Sequence, residues 1–531
     1  EGQDEFSIIP RTGSIPLSYA QKRLWFLDQL EPGNPFYNLP AAVQLKGELD
    51  VEALRKSLEA IVHRHESLRT NFDTVDGMPV QVIRQPGPFE LPVVDLTHLP
   101  AGEREAEVQR LGLEEVRRPM DLAKDMLLRV KLFRLAEDDH VLVLTIHHII
   151  SDGWSMGVLI RELGALYAGY TSQSPVELPE LPIQYADYAA WQQEYLSGER
   201  MEKLLDYWKR QLENLPGLLE LPTDYPRPAV QSYRGDHYSF EINSDTVNRL
   251  RAFCNQEGVT VYMALLSIYQ LLLSRYTGEE DIPVGTAIAN RTRKQVEGLI
   301  GFFVNTLVLR GDLSGEPSFR ELLKRTRKVC LDAYTHQDMP FETLVDILQP
   351  ERNMSHSPLF QVAFDLQNPT PLPDAMGALQ VIPLTLHNKT TSYDMLLSIS
   401  DTPQGLAGSV DFAADLFERS TIQRMMEHFQ MLIDSALANP DQPITHLPML
   451  SQAERKQILE DWNATRHPFQ DQVCAHQLFE AWAEKQPDAD ALVFASRESF
   501  NGNAPRLSYQ ALNHRANALA HHLRSLGLRP G

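Results

Sequence analysis

The pattern of apolar and polar positions predicts a chain in which helices and strands alternate. Short apolar runs of strand length occur at Pro79–Ile83, His140–Ile146 and Phe303–Leu309. Apolar stripes at helical spacing follow Asp50, a favourable N-cap, and Ser420, which forms the pattern of a capping box with the glutamine three residues later. The expected fold class is therefore α/β or α+β.

The most apolar stretch, Val261–Leu273, spans about 13 residues, whereas a membrane span needs roughly 20. We therefore predict a buried helix there. Proline-rich segments mark the expected connections at Leu215–Pro228, at Asn368–Pro383, which we predict to be a long loop, and at Asn439–Pro448. These segments place domain boundaries near 180–228 and near 445.

Charge and cysteine content narrow the class of protein. The 531 residues include 49 Lys and Arg against 71 Asp and Glu, a formal net charge of −22. This balance disfavours binding to nucleic acid or to an anionic membrane surface, which both need a basic footprint. Three cysteines at no recognisable spacing suit a reducing compartment, and the N-terminus shows no signal peptide, so we expect a cytoplasmic protein. The chain begins without Met and ends at Gly531 without a closing element, and we expect it to be part of a longer one.

The densest polar cluster follows the apolar run that ends at Ile146. It contains His147, His148, Asp152 and Gly153. Adjacent strand residues face opposite ways, so one histidine can face a cleft while the other faces the core. Asp152 could then form a buried pair, and Gly153 would let the chain turn sharply. Metal binding is disfavoured, because the two histidines would diverge and no cysteine is near.

Two observations limit what this cluster shows by itself. A second doublet, His521–His522, lies in an evident helix where no chemistry is expected. In addition, Ser155 is the serine of a G-x-S-x-G pattern, which is typical of a hydrolase nucleophile elbow. The apolar strand ends nine residues before that serine, although an elbow requires the serine directly between strand and helix. Substitution of Ser155 by Ala would abolish the activity of a hydrolase and would leave an activity based on the histidines largely intact.

The pattern His147-His148-x-x-x-Asp152-Gly153 resembles the active-site motif of condensation domains of nonribosomal peptide synthetases. Six further segments resemble the family's other motifs in the same order, and together the seven cover about residues 15–445. These segments are Ser18–Trp25, Arg64–Phe72, Tyr185–Trp191, Ile300–Thr306, His336–Glu342 and Arg352–Phe360.

The tail resembles a different family. The segments Trp462–Thr465, His476–Glu480 and Leu507–Asn513 are similar to the beginning of an amino-acid adenylation domain, and no ATP-binding motif of that family follows. The expected organisation is a leader at 1–14, an N-terminal lobe at 15–180, a C-terminal lobe at 181–445, and at 446–531 a linker and truncated adenylation start.

The resemblance implies two lobes similar to chloramphenicol acetyltransferase in a V-shaped pseudo-dimer. It also implies that the α-amine of an acceptor carrier protein's aminoacyl thioester attacks the acyl or peptidyl thioester of a donor carrier. His148 would act as general base or hold the amine, and Asp152 would pair with Arg291 from the other lobe. Gly153 would keep the floor of the family's substrate tunnel clear of side chains, and His147 would orient the loop that carries the motif. Arg64 and Asn305 are expected to support the site.

The resemblance implies no permanently bound cofactor and no metal, because the phosphopantetheine arms arrive on the carrier proteins. The expected partners are these two carriers and the adjoining adenylation domain. We expect the aromatic motif residues Trp25, Trp191, Phe302 and Phe303 to be core residues rather than substrate contacts. The alternatives left open are epimerisation of a carrier-bound residue and acyl transfer from coenzyme A thioesters. A heterocyclisation domain would lack the histidine doublet, and a degenerate docking module would not need it.

Overall fold

The structure is a computed structural model that describes residues 5–174, 176–348, 353–367, 375–384, 386, 389–402, 405–466, 472–494 and 504–529. The chain divides into two compact units, residues 1–451 and 452–531. Each unit is described by itself.

The described residues form fifteen α-helices. Twelve belong to the first unit: α1 Tyr19–Leu30, α2 Val51–Arg64, α3 Ala101–Arg117, α4 Gly153–Ser172, α5 Tyr185–Tyr195, α6 Gly198–Gln211, α7 Ser244–Glu257, α8 Val261–Thr277, α9 Lys294–Glu297, α10 Phe319–Thr335, α11 Phe341–Leu348 and α12 Arg419–Ala438. The second unit contains α13 Gln452–Lys456, α14 Ala475–Lys485 and α15 Tyr509–Ser525.

The described residues also form seventeen strands. They are β1 Ile15–Pro16, β2 Asn38–Lys46, β3 Thr70–Val75, β4 Met78–Ile83, β5 Val93–Asp95, β6 Leu128–Arg134, β7 Asp139–His147, β8 Gly235–Asn243, β9 Asp281–Ile288, β10 Asn305–Asp312, β11 Val362–Gln367, β12 Ala375–Met376, β13 Leu379–Leu384, β14 Met395–Thr402, β15 Gly405–Ala413, β16 Asp490–Val493 and β17 Arg506–Ser508.

Two six-stranded mixed sheets organise the first unit. The first sheet has the order β12-β13-β2-β7-β6-β5, and the second has the order β10-β9-β11-β14-β15-β8. Separate cores of buried side chains accompany them, one on α2, α4 and β7 and the other on α8, α12 and β14. We refer to the parts of the unit built on these sheets as the first and second halves. The predicted α/β or α+β class is confirmed.

One strand pair crosses between the predicted lobes. Strand β13 lies inside the range predicted for the C-terminal lobe, yet it pairs antiparallel with β2 of the first sheet at five positions, from Gln380↔Lys46 to Leu384↔Ala42. We predict a loop over Asn368–Pro383, and this is wrong for the described part, residues 375–383. Pro383 is compatible with the strand because the two-residue β12 does not reach its other edge.

Several local predictions are confirmed. The helix predicted at Val261–Leu273 is α8, and its residues from Met263 to Leu273 are buried. Asp50 caps α2 by accepting the backbone N–H of Ala53. Among the described residues no single helix is long and apolar enough to cross a membrane, although α7 and α8, bent by 106° at their junction, pass such a test as a pair.

The capping box predicted at Ser420 is wrong. Helix α12 begins one residue earlier, and Glu418 at its N-cap makes no side-chain cap. The carboxylate of Asp224 takes that place, because it accepts the backbone N–H of Glu418 and the hydroxyl of Thr421. A distant residue therefore supplies a cap that the local pattern assigned to a neighbour.

Candidate active site

The central strand of the first sheet delivers the histidine doublet to a tight turn. Strand β7 ends at His147, a 3₁₀ turn covers His148–Ile150, and α4 begins at Gly153. The side chain of Gln21 on α1 donates to the carbonyl of Ile149, 3.2 Å away, and so fixes the turn from a second element. The polar cluster is thus held between a strand and two helices.

His147 is enclosed and acts on the backbone of the turn. Its Nδ1 accepts the backbone N–H of Ile149 at 3.1 Å, and the residue is only 2 % exposed. Since Nδ1 is an acceptor, the neutral ring carries its proton on Nε2. Burial, with smaller contributions from His148 and Arg129, lowers the pKa of His147 to about 3. His147 is therefore neutral across the physiological range.

His148 presents the other tautomer and a partly exposed ring. Its Nδ1 lies 2.8 Å from the carbonyl oxygen of Ser151, which can only accept, so Nδ1 donates and Nε2 is the unprotonated nitrogen. Within the described parts of the chain, nothing hydrogen-bonds to Nε2. Burial lowers the pKa of His148, and the bond to Ser151 and the Asp152 carboxylate oppose this shift. The neutral imidazole can thus accept a proton or hold an N–H group at Nε2.

An aromatic ring from the second half lies against this imidazole. The ring centroids of His148 and Phe302 are 4.5 Å apart, with the planes tilted by 53°. Phe302 is 9 % exposed, so our expectation that it is a core residue is met, but the same ring also touches His148. Phe303 is buried as expected, whereas Trp25 and Trp191 are only partly buried.

Asp152 is fully buried and bonded through both carboxylate oxygens. Oδ1 accepts the backbone N–H of Ser155 at 2.8 Å, which makes Asp152 the N-cap of α4, and Oδ2 accepts the backbone N–H of Phe303 at 3.0 Å. Arg291 donates to Oδ1 at 3.1 Å from a side chain that is 1 % exposed. The ion pair implied by the resemblance is therefore present, and it joins the two halves.

Arg291 follows β9 in the second half and spreads its bonds widely. Its Nη1 donates to the carbonyls of Val296 and Leu299 at 2.6 and 2.7 Å, and its Nη2 donates to the Ser155 hydroxyl at 2.7 Å as well as to Asp152. The guanidinium carbon lies 4.0 Å from the ring centroid of Phe303. We call Asp152, Ser155 and Arg291 the Asp152 cluster.

Ser155 is a buried junction and has no room to act as a nucleophile. It is fully buried, and its hydroxyl oxygen lies 2.7 Å from Asp152 Oδ1 and 2.9 Å from the Gly301 carbonyl. The same oxygen accepts the backbone N–H of Gly301 at 3.0 Å. It lies in the first turn of α4 and bonds to no histidine. The hydrolase interpretation of the G-x-S-x-G pattern fails on this geometry.

Gly153 does not make the sharp turn predicted for it. It is the first residue of α4, and its φ is not in the left-handed region. The residue is exposed, and a Cβ built there would meet no atom within 4 Å. Asp152, in an extended conformation, provides the change of direction before the helix. Gly153 therefore leaves open space at the start of the helix.

The two remaining predicted residues lie outside the histidine cluster. Arg64 ends α2 and bonds to Glu162 on α4 and to the carbonyl of Pro179. Asn305 begins β10, where its amide donates to the carbonyls of Gln337 and Met339 at 2.8 and 2.7 Å. Neither side chain bonds to His148 or to the Asp152 cluster.

An irregular segment, Leu299–Phe303, completes the site, and we call it segment 299–303. Besides Asp152 and Ser155, it is bonded by the hydroxyl of Ser67, which donates to Ile300 O at 2.6 Å, and by Tyr185, which donates to Phe302 O. His65, bonded to Glu162 at 2.8 Å, accepts the N–H of Ile300 at 3.4 Å. Sequence reasoning did not single out Ser67, Tyr185 or His65, although all three lie within the recognised motif segments Arg64–Phe72 and Tyr185–Trp191.

No group of three or more His, Cys, Asp or Glu in the described parts of the chain is placed to hold a metal ion. The two histidines of the doublet use their nitrogens in different directions, since His147 binds a backbone N–H and His148 binds a carbonyl. The arrangement offers one free imidazole nitrogen beside a rigid, internally neutralised ion pair.

Comparison with known proteins identifies the family. The family model described as "Condensation domain" matches residues 11–459. The chain is 45 % identical over 524 residues to a linear gramicidin synthase of Brevibacillus parabrevis, covering 98 % of this chain and 10 % of that protein. It is 42 % identical over 523 residues to chondramide synthase cmdD of Chondromyces crocatus, covering 98 % and 13 %. The chain thus spans about a tenth of the length of these relatives.

A solved structure, the X-domain from teicoplanin biosynthesis, has the same fold. It matches with a TM-score of 0.76 and 28 % identity over 84 % of this chain and 99 % of that one. Together with the family match and the two related synthetases, this places the fold with condensation domain structures. The chain belongs to the condensation domain family of nonribosomal peptide synthetases, which are amide-forming domains of the acyltransferase type.

Proposed function

We propose that this domain joins a donor acyl or peptidyl thioester to the α-amine of an acceptor aminoacyl thioester, each presented by a carrier protein. The amine nitrogen attacks the donor carbonyl, the new C–N bond forms, and the C–S bond to the donor arm breaks. The observation that carries this proposal is the free Nε2 of His148, held in its acceptor tautomer by the Ser151 carbonyl. It can take the proton that the amine must lose.

The chemistry places modest demands on this imidazole. An α-amino group has a pKa near 7.7–8.0, so an appreciable fraction is neutral near pH 7.5. Holding two tethered reactants in line can lower the barrier by about 7–11 kcal/mol, and a positioned base adds about 10²–10⁴-fold. His148 serves as this base or as the acceptor that orients the amine, and the proton passes finally to the departing thiolate.

The neighbouring predicted residues are proposed to support His148. Asp152 and Arg291 hold the two halves in register, and His147 fixes the turn that carries His148. Gly153 keeps the space at the start of α4 free for substrate. Arg64 fixes α4 through Glu162, and Asn305 anchors the chain that leads into α11.

The partners follow from the reaction. The related proteins are multidomain synthetases, which supports other domains of such an enzyme as the kind of partner. We propose donor and acceptor carrier proteins that bring phosphopantetheine arms into the cleft from two sides, with no permanently bound cofactor. The proposed ranges remain 15–180 and 181–445 for the lobes, preceded by a leader at 1–14.

We propose that residues 446–531 are a linker and the beginning of an adenylation domain. In the described part of the second unit only Ala483 is buried, while Trp482 and Leu519 are 47 % and 58 % exposed. So little burial suits a fragment of a larger core. Limited proteolysis of the full chain should cut after residue 451 first and leave residues 1–451 resistant. Equal resistance of both units would contradict this assignment.

We further propose that the domain works in the cytoplasm. Its cysteines support this, since Cys254 and Cys330 are free and buried and Cys474 is free and exposed. A free, exposed thiol is typical of a protein in a reducing compartment. Fractionation of producing cells should find the protein with cytoplasmic markers, and recovery with an exported fraction would contradict the proposal.

The decisive experiment loads two carrier proteins, adds the domain and follows the new amide by intact mass. The wild type should transfer the donor to the acceptor carrier, and the His148→Ala variant should be strongly impaired. Two further arms test the alternatives. Inversion of the donor's α-carbon without transfer would indicate epimerisation, and equal use of a coenzyme A thioester would indicate a free acyltransferase. Either result would replace the proposed reaction.

A further inference from the structure

The backbone of segment 299–303 is held almost entirely by side chains of other elements. It has no regular secondary structure, yet its N–H and C=O groups are bonded to Ser67, Asp152, Ser155 and Tyr185 at buried positions. Buried backbone groups need such partners. A segment with this many side-chain bonds is fixed in place rather than only packed.

The hydrogen bonds to segment 299–303 fix the backbone on both sides of Phe302. Gly301 is bonded through both its N–H and its C=O to the Ser155 hydroxyl, and the N–H of Phe303 is bonded to Asp152. A Cβ on Gly301 would come within 2.0 Å of the Tyr185 ring, so the backbone lies directly against that ring. With both neighbours and its own carbonyl fixed, Phe302 has little freedom except at its side chain.

That side chain lies on the imidazole of His148, 4.5 Å between ring centroids. Two contacts therefore define the imidazole: the hydrogen bond from Nδ1 to Ser151 O, which fixes the tautomer, and the Phe302 ring, which covers one face. Phe302 also lines a small pocket together with Tyr19 and Glu342.

We propose that Phe302 is a positioning residue for His148, presented from the second half by segment 299–303, and that it fixes the orientation of the imidazole and keeps water from one face of it. The catalytic part of this inference rests on the proposed function of His148. The charged or titratable groups that act on His148 are Arg23 on α1, Asp152 at the start of α4 and His147 on β7. A substitution of Phe302 by Ala or Leu removes none of these groups and adds no charge.

The proposal has a direct physical consequence for titration. Burial is the main cause of the lowered pKa of His148. Removal of the Phe302 ring should admit water and raise that pKa toward its ordinary value. Protonation below the pKa removes the free acceptor, so the acidic limb of the rate profile should move to higher pH.

The test compares Phe302→Ala, Phe302→Leu and the control Phe26→Leu, an aromatic residue on α1 that is 55 % exposed. Imidazole NMR of the full chain, with the His148 signal assigned by its loss in His148→Ala, measures the pKa without any carrier protein. Phe302→Ala should raise the pKa of His148. A pKa that returns to the ordinary value of His, about 6.5, leaves about half of the imidazole unprotonated at that pH, so kcat near pH 6.5 should fall by up to about twofold. Phe302→Leu should retain most of the burial, and Phe26→Leu should match the wild type.

A second variant tests the same contact without removing the Phe302 ring. Ser155→Ala removes both bonds to Gly301 and should shift the His148 titration in the same direction by less. An unchanged titration in both Phe302→Ala and Ser155→Ala would overturn the proposal. A shifted titration with an unmoved acidic limb would confirm the contact but refute its role in the reaction, and would also count against His148 as the base.

Discussion

His148 and the Asp152 cluster lie on one short stretch of chain, but their surroundings are opposite. His148 is partly exposed and keeps one nitrogen without a partner in the described structure, whereas Asp152 is fully buried and has every oxygen bonded. A group that must exchange a proton has to remain accessible, and a buried carboxylate has to remain paired. The comparison separates the proposed chemistry from the stability of the site.

The largest effect on activity is expected when the imidazole of His148 is removed. His148→Ala should lower the rate of amide formation at least about a hundredfold, the low end of general-base effects, because the acceptor at Nε2 is lost. Its melting temperature should stay close to that of the wild type. The matched control is His521→Ala in the other doublet, which should change neither property. Wild-type turnover by His148→Ala would reject the assignment.

The opposite outcome is expected at Asp152. Asp152→Ala should reduce the free energy of unfolding by about 3–5 kcal/mol, because Arg291 is left as a buried charge without its partner. Urea denaturation followed by circular dichroism measures this loss. A control is Asp401→Ala, since Asp401 makes an exposed ion pair with Arg251 and such pairs contribute about 0–1 kcal/mol. A stable but inactive Asp152→Ala would assign chemistry to the carboxylate.

His147 should make the stability of the folded protein depend on pH. Its pKa is lowered from 6.5 to about 3 in the folded protein, so the unfolded chain binds the proton more readily. Stability should therefore fall as pH decreases from about 6.5 toward 3, by up to about 1.4 kcal/mol per pH unit for this one group. His147→Asn keeps an acceptor for the Ile149 N–H and should flatten the dependence. An equally steep dependence in that variant would place its origin elsewhere.

The smallest effect on stability is expected at Gly153. A methyl group there meets no atom within 4 Å, so Gly153→Ala should change the free energy of unfolding by no more than about 0.5 kcal/mol. If the open space serves substrate, the same variant should raise KM for a carrier-bound donor while leaving the melting temperature unchanged. Unchanged kinetics would remove Gly153 from the site.

The residues proposed for the chemistry of the site could be predicted from the sequence more fully than the residues that hold them in place. The apolar run before His147 predicted the strand correctly, because a short continuous apolar run is typical of a strand that is buried on both faces. The pairing of Asp152 with Arg291 came from the family resemblance, since no local pattern joins them. The contact of Phe302 with His148 and the junction at Ser155 depend on how two distant parts of the chain meet. The cap that Asp224 supplies to α12 was missed for the same reason: periodicity describes neighbours, and these partners are not neighbours.

The pairing of β13 with β2 has a consequence for how the halves could move. Strand β13 lies in the range predicted for the C-terminal lobe and is built into the first sheet, so complete separation of the two predicted lobes would break a whole row of interstrand hydrogen bonds. Any opening of the cleft should therefore be a bending motion that leaves the pairing of β13 with β2 intact. A single nick in the polypeptide between the halves should leave them associated under native conditions.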